Sequence, residues 1–106
     1  MKDCVLFIDT TNNKEVTVGF RIDGKEFITN QPLDTRKAQL VLPLLEILLK
    51  KHQLSLQQLT AIEVNPGPGS FTGVRVGISI ANTLGFLLRI PVNGNTLGEE
   101  VKAVYS

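Results

Sequence analysis

The stretch Asn65-Pro66-Gly67-Pro68-Gly69-Ser70-Phe71-Thr72-Gly73-Val74-Arg75-Val76-Gly77 constrains this chain more than any other part of it. It joins a short apolar run at 62–64 to a long apolar helical pattern that begins near Thr72. Proline fixes φ, and glycine opens torsions closed to other residues. The segment therefore reads as a rigid turn that presents backbone N–H groups at a helix N-terminus. Such a turn can hold an anion. It can equally set the angle between a strand and a helix. A Walker loop would need Lys followed by Ser or Thr at the helix start, where Thr72-Gly73-Val74 follows Phe71 here. A dinucleotide fingerprint would need glycine in place of Thr72, and Pro68 removes one donor. By spacing alone, the structural turn is favoured.

The rest of the chain supplies layers for this turn to connect. Cys4-Val5-Leu6-Phe7-Ile8 is a continuous apolar run ending at Asp9, and it reads as a central strand buried on both faces. Residues 15–22 alternate, with Val16, Val18, Phe20 and Ile22 on one side. Asp23-Gly24 is a hairpin signal, and residues 25–29 form the return strand with Phe20 opposite Phe27 and Arg21 opposite Glu26. Residues 33–51 read as a helix capped by Asp34 or Thr35, bent at Pro43, and closed by Lys50, Lys51 and His52. Ser55 to Gln58 fits a capping box with Leu54 and Leu59 as its staple, leading into a strand at 61–64. A second long helix covers 72–88, Ile90-Pro91-Val92-Asn93 reads as a short edge strand, and Asn95-Thr96 caps a last helix through Val104. This order gives an α/β layer domain with a mixed sheet.

Composition narrows the function classes. At 106 residues the chain is one small domain. A net charge of +1 argues against an autonomous nucleic-acid grip, which shows as a basic excess. The single cysteine, Cys4, sits in an apolar run and reads as core in a protein of the reducing cytosol. No run is long enough to span a membrane. His52, the only histidine, reads as a helix-end charge, so neither a metal cluster nor a nucleophile–base pair can be assembled. Asp9 reads as a strand-end turn residue. No catalytic residue, metal or cofactor is expected.

The second helix carries a further signal. Gly73, Gly77, Ala81 and Gly85 are four apart and form one ridge of small residues. The other positions of that helix are apolar nearly all round, and the first helix has a similar excess, including Leu40, Leu44, Ile47 and Leu48. One reading packs the first helix on the ridge. The favoured reading gives the ridge and these first-helix residues to a partner, with a homodimer when the chain is alone.

Three segments resemble a known family. Leu6-Phe7-Ile8-Asp9-Thr10-Thr11 looks like its opening strand and turn. Leu42-Pro43-Leu44-Leu45 resembles its Leu-Pro-Leu-Ile helix. The run from Gly67 to Gly77, with Ile90-Pro91-Val92 after it, is close to its most specific block. The family is TsaB, also called YeaZ, the bacterial partner protein in making threonylcarbamoyladenosine (t6A) beside the tRNA anticodon.

The resemblance implies an α/β fold, with a single actin/Hsp70-like (ASKHA) ATPase-type lobe of five mixed strands flanked by helices. It implies that residues 1–106 are one N-terminal lobe, where family members carry two. It implies a non-catalytic cytoplasmic scaffold that binds a TsaD-like catalytic subunit through helices, with a TsaE-like ATPase in the same complex and tRNA reached only indirectly. Asp9, Thr10 and Thr11 would be a vestigial phosphate turn, because the actin-type turn favours a glycine after the first Asp and this chain has none. Gly67, Pro68, Gly69, Ser70, Thr72, Gly73 and Arg75 would form the glycine-rich loop. The alternatives are a degenerate nucleotide-binding or hydrolytic ASKHA domain, and a self-associating structural domain.

Overall fold

The structure, a computed structural model, describes residues 3–32, 37–69, 71–95 and 99–104, with the backbone alone at 37–40, 71 and 72. The elements run β1 (Cys4–Asp9), β2 (Glu15–Ile22), β3 (Lys25–Pro32), α1 (Lys37–Lys51), a single 3-10 turn (Leu56–Gln58), β4 (Ala61–Val64) and α2 (Phe71–Leu88). The four strands lie in the order β3-β2-β1-β4. The first three form an antiparallel meander, and β4 runs parallel to β1. The Asp23-Gly24 turn sets the hairpin register as the sequence predicts, with Phe20 opposite Phe27 and Arg21 opposite Glu26. Both turn residues have positive φ, 49° and 83°, as a type I′ hairpin turn requires.

Register aligns the core in rows. Phe20, Leu6 and Ile62 sit side by side on β2, β1 and β4, and Val18, Ile8 and Val64 form the next row. All six are buried. Onto this face α1 lays Val41, Leu44, Leu45 and Leu48, packing on β2, while α2 lays Val74, Ile78 and Ala81 against β4 and β1. Both helices thus cover the same side of the sheet.

Three expectations are corrected. β1 is central but not buried on both faces: Cys4, Leu6 and Ile8 are buried, whereas Val5 and Phe7 are only half-buried because the helices lie on the other side. The sheet has four strands among the described residues rather than five. Residues 90–93 supply one parallel bridge, Val92 to Ile62, before the chain turns at Asn93 and Gly94, both at positive φ. The last helix is absent from 99–104. There the Val101 backbone is held by the Asn82 side chain in both directions at 3.0 Å, and the Val104 N–H donates to the Pro66 carbonyl at 2.7 Å. Those groups are committed elsewhere and cannot close helical turns.

The starts and stops are legible locally. Residues 33–36, where the α1 cap was expected, lie outside the described residues, and Pro43 lies inside α1 as expected. The Ser55 N–H donates to the Gln58 side chain at 2.8 Å, one arm of the predicted capping box. Both helices end without glycine. Gln53 and Arg89 take left-handed φ of 55° and 56°. Leu54 N–H then reaches back to the Leu49 carbonyl at 2.8 Å, and Ile90 N–H to Gly85 at 3.1 Å, which is the six-to-one closure of a Schellman motif. His52 is a ring contact besides a helix end: its centroid lies 4.5 Å from that of Phe27.

Candidate functional site

The turn after β1 and the glycine loop before α2 form one interlocked unit, because β1 and β4 are parallel neighbours whose ends emerge together. The Asp9 carboxylate accepts from the Thr11 N–H at 2.9 Å and the Thr11 hydroxyl at 2.7 Å through Oδ1, and from the Asn65 side-chain amide at 3.1 Å through Oδ2. Asn65 also takes the Gly67 N–H on its Oδ1 at 3.1 Å and donates its own N–H to the Ile8 carbonyl at 3.0 Å. The loop then passes close over the turn. A side chain on Gly69 would begin 2.8 Å from the Thr11 Cβ. Gly67 has φ +107° and lies against the Val104 carbonyl, a place open only to glycine.

Thr10 is the centre of the unit. It is 0% exposed. Its hydroxyl donates to the Gly73 carbonyl at 2.5 Å and accepts from the Gly77 N–H at 2.9 Å. These two groups are the i and i+4 partners of a helical rung, so the hydroxyl bridges the rung from outside. Gly77 makes the approach possible: a Cβ there would meet the Thr10 Oγ1 at 2.6 Å and the Ile8 Cγ2 at 3.3 Å.

The small-residue ridge is therefore internal, a correction to its assignment as a partner surface. Gly73, Gly77, Ala81 and Gly85 are all buried. Gly77 receives Thr10 and Ile8, and Gly85 receives Val92 and the Ile90 carbonyl. At Gly77 and Gly85 the close approach that the spacing foretold is made by the end of β1 with Thr10 and by the return chain. Leu44 and Leu48 are likewise core, for they face the sheet. Of the assigned α1 residues, Ile47 is 61% exposed, while the side chain of Leu40 lies outside the described set. Among the described residues of the two helices, the exposed large apolar side chains are instead Leu42 and Ile47 of α1 and Phe86 and Leu87 of α2, the last two 76% and 66% exposed, with Ile28 and Val104 exposed elsewhere.

In the loop, Pro68 and Gly69 are exposed, and Arg75 extends from the outer side of α2. Ser70 and the side chain of Thr72 lie outside the described residues. Among the described residues no three His, Cys, Asp or Glu side chains gather as a metal set. Burial pushes the Cys4 thiol above its ordinary value. Sequence reasoning missed Asn65, Asn82 and Asn93. Each uses its amide to satisfy main-chain or carboxylate groups of a distant segment, and only Asn93-Gly94 carried a signal, that of a turn dipeptide.

This arrangement defines a mixed α/β domain with helices on one sheet face and a glycine loop clasped to the first strand's turn. A family described as TsaD, tRNA N6-adenosine threonylcarbamoyltransferase, matches residues 32–96, and the chain belongs to that family. Within it the chain is a homologue of the TsaB, or YeaZ, proteins. It is 33% identical over 87% of its length to the "tRNA threonylcarbamoyladenosine biosynthesis protein TsaB" of Haemophilus influenzae, covering 39% of that protein. It is 36% identical over 84% of its length to the protein of the same name from Bacillus subtilis, again covering 39%. The solved structure of YeaZ from Pseudomonas aeruginosa superposes with a TM-score of 0.81 at 30% identity, over 89% of this chain and 44% of that one. The chain thus spans about two fifths of the length of the curated relatives it matches.

Proposed function

We propose that residues 1–106 are the first lobe, of ASKHA type, of a TsaB-like accessory subunit that binds a TsaD-like catalytic subunit in t6A modification of tRNA. The subunit supplies no catalytic group and works in the cytoplasm, with a TsaE-like ATPase in the same complex and tRNA contacted through the partners. The observation that carries this reading is the exposure of Leu42 and Ile47 on α1 and of Phe86 and Leu87 on α2. Four large apolar side chains on two adjacent helices favour a protein partner. The same side chains would pair two copies of the subunit when it is alone. The turn at Asp9 favours a scaffold over a nucleotide site, because its carboxylate and the Thr10 hydroxyl are engaged by Thr11, Asn65, Gly73 and Gly77.

Light scattering of the chain with and without a TsaD-like subunit tests the reading. A mixed species of defined stoichiometry, together with t6A formation that depends on this chain, is the expected result. A chain that leaves the subunit's mass unchanged at high micromolar concentration counts against it. Titration with ATP and magnesium addresses the enzymatic alternative, and saturable heat there would favour it.

A further inference from the structure

We infer that the Thr10 hydroxyl is a positioning group that seats α2 on the sheet and thereby places the α2 part of the partner surface. The inference rests on the reading above for its second half only.

α2 meets the sheet side of the domain closely at two points along one ridge. At Gly85 the contact is steric, with Val92 and the Ile90 carbonyl. At Gly77 it is also directional, because one hydroxyl contacts both a carbonyl and an amide of the helix. A steric seat alone lets a helix slide or roll by a fraction of an ångström. A hydroxyl that both donates and accepts fixes the axial position, because donor and acceptor distances must be met together. Inserting a side chain at an i, i+4 rung is also a known origin of local helix bending. The seat is supported from below: Asp9 is tied to Thr11 and Asn65, and Gly69 packs on Thr11, so the residue carrying the hydroxyl is held by its neighbours on both sides. Phe86 and Leu87 stand on the same uninterrupted helix, so a shift at Gly77 is carried to them.

The test compares Thr10→Val, which keeps the shape and removes the hydroxyl, with Thr10→Ser, which keeps the hydroxyl. The readouts are amide hydrogen exchange at Gly77 and affinity for the TsaD-like subunit. Thr10→Val is expected to raise Gly77 exchange at least tenfold while the Phe20 and Leu6 amides keep their protection, and to weaken partner binding about tenfold. Thr10→Ser is expected to restore both. If the Val variant leaves Gly77 exchange unchanged, or the Ser variant behaves like Val, the hydroxyl is not the positioning group. If exchange responds but affinity does not, the seat exists and its link to the partner surface is overturned. Should the native chain fail to bind the subunit, the proposed function falls, while Gly77 exchange still judges the seat.

Discussion

The side-chain amide of Asn93 pairs with both main-chain groups of Val64, accepting from its N–H at 2.7 Å and donating to its carbonyl at 2.8 Å. One side chain thereby continues the outer edge of β4 where the neighbouring backbone has turned away. Asn93 holds φ at 53°, a left-handed value that asparagine tolerates better than most residues. Asn93→Ala loses both the pairing and the conformational tolerance, and should cost about 2–3 kcal/mol. Asn93→Gly keeps the torsion and loses only the pairing, so it should cost about 1–2 kcal/mol. Urea denaturation of the two variants separates the contributions. Equal losses would mean that the torsion costs nothing.

The helix stops offer the opposite kind of change. Arg89 is exposed and sits at φ 56° in the left-handed position that closes α2. A side chain there costs roughly 1 kcal/mol relative to glycine. Arg89→Gly should therefore stabilise the chain by about that amount and raise the melting temperature by several degrees. A melting temperature that falls would show that the arginine side chain contributes more than its backbone conformation costs.

Gly77→Ala is a mutation in which helix propensity and packing disagree. Alanine is favoured by about 1 kcal/mol in a helix interior. Its Cβ, however, would lie 2.6 Å from the Thr10 Oγ1 and would displace a fully buried hydroxyl. Overpacking of this kind costs about 1–3 kcal/mol, so the variant should be destabilised. The larger Gly77→Leu should prevent folding rather than split a dimer, since the ridge is spent inside the chain. Thermal melts with light scattering check this: a folded monomeric Gly77→Leu would return the ridge to the partner surface.

Cys4 gives a pH signature. Burial raises its thiol, so the unfolded chain ionises first, near the ordinary thiol value. The folded state binds the proton more tightly across the window between the two values. Its contribution to stability is whole below that window and declines as pH rises through it. The urea midpoint should fall from pH 8 to pH 10, and Cys4→Ala should flatten the decline. In the native state the thiol should react with a disulfide reagent far more slowly than in urea.

The strands and their register were legible because they depend on local rules: alternation in β2, the Asp23-Gly24 turn, and the uninterrupted run of β1. The glycine loop was legible as a turn, and the ridge as a place of close approach. What approached it was not, because Thr10 lies 67 residues from Gly77 and helical spacing names a face without naming its neighbour. The last segment was misread for a related reason. Its capping signals are local, but the Asn82 amide and the Pro66 carbonyl claim its backbone from a distance. Both helix ends, Lys51 and Leu88, fall where the sequence reading put them, but the left-handed closures at Gln53 and Arg89 escaped notice because neither residue is the glycine that usually marks such a stop.

The partner surface is where core and interface can be told apart by substitution. Leu44 and Leu48 are buried on the sheet side of α1, whereas Ile47 lies one step round on the solvent side, and Phe86 and Leu87 are exposed on α2. Leu44→Asp or Leu48→Asp should unfold the chain, because an unpaired carboxylate in the core costs several kcal/mol. Ile47→Asp, Phe86→Asp and Leu87→Asp should leave the melting temperature within a few degrees of native. If the proposed scaffold role holds, each of the last three should weaken binding to a TsaD-like subunit, and the Phe86 and Leu87 changes together by at least a hundredfold, equivalent to about 2.7 kcal/mol. Reconstituted t6A formation should fall in step with binding. Variants at Arg75, on the outer side of α2 next to the glycine loop, should bind as the native chain does. Loss of binding in the Arg75 variants with retention in Phe86→Asp and Leu87→Asp would move the interface from the C-terminal half of α2 to the loop at its start.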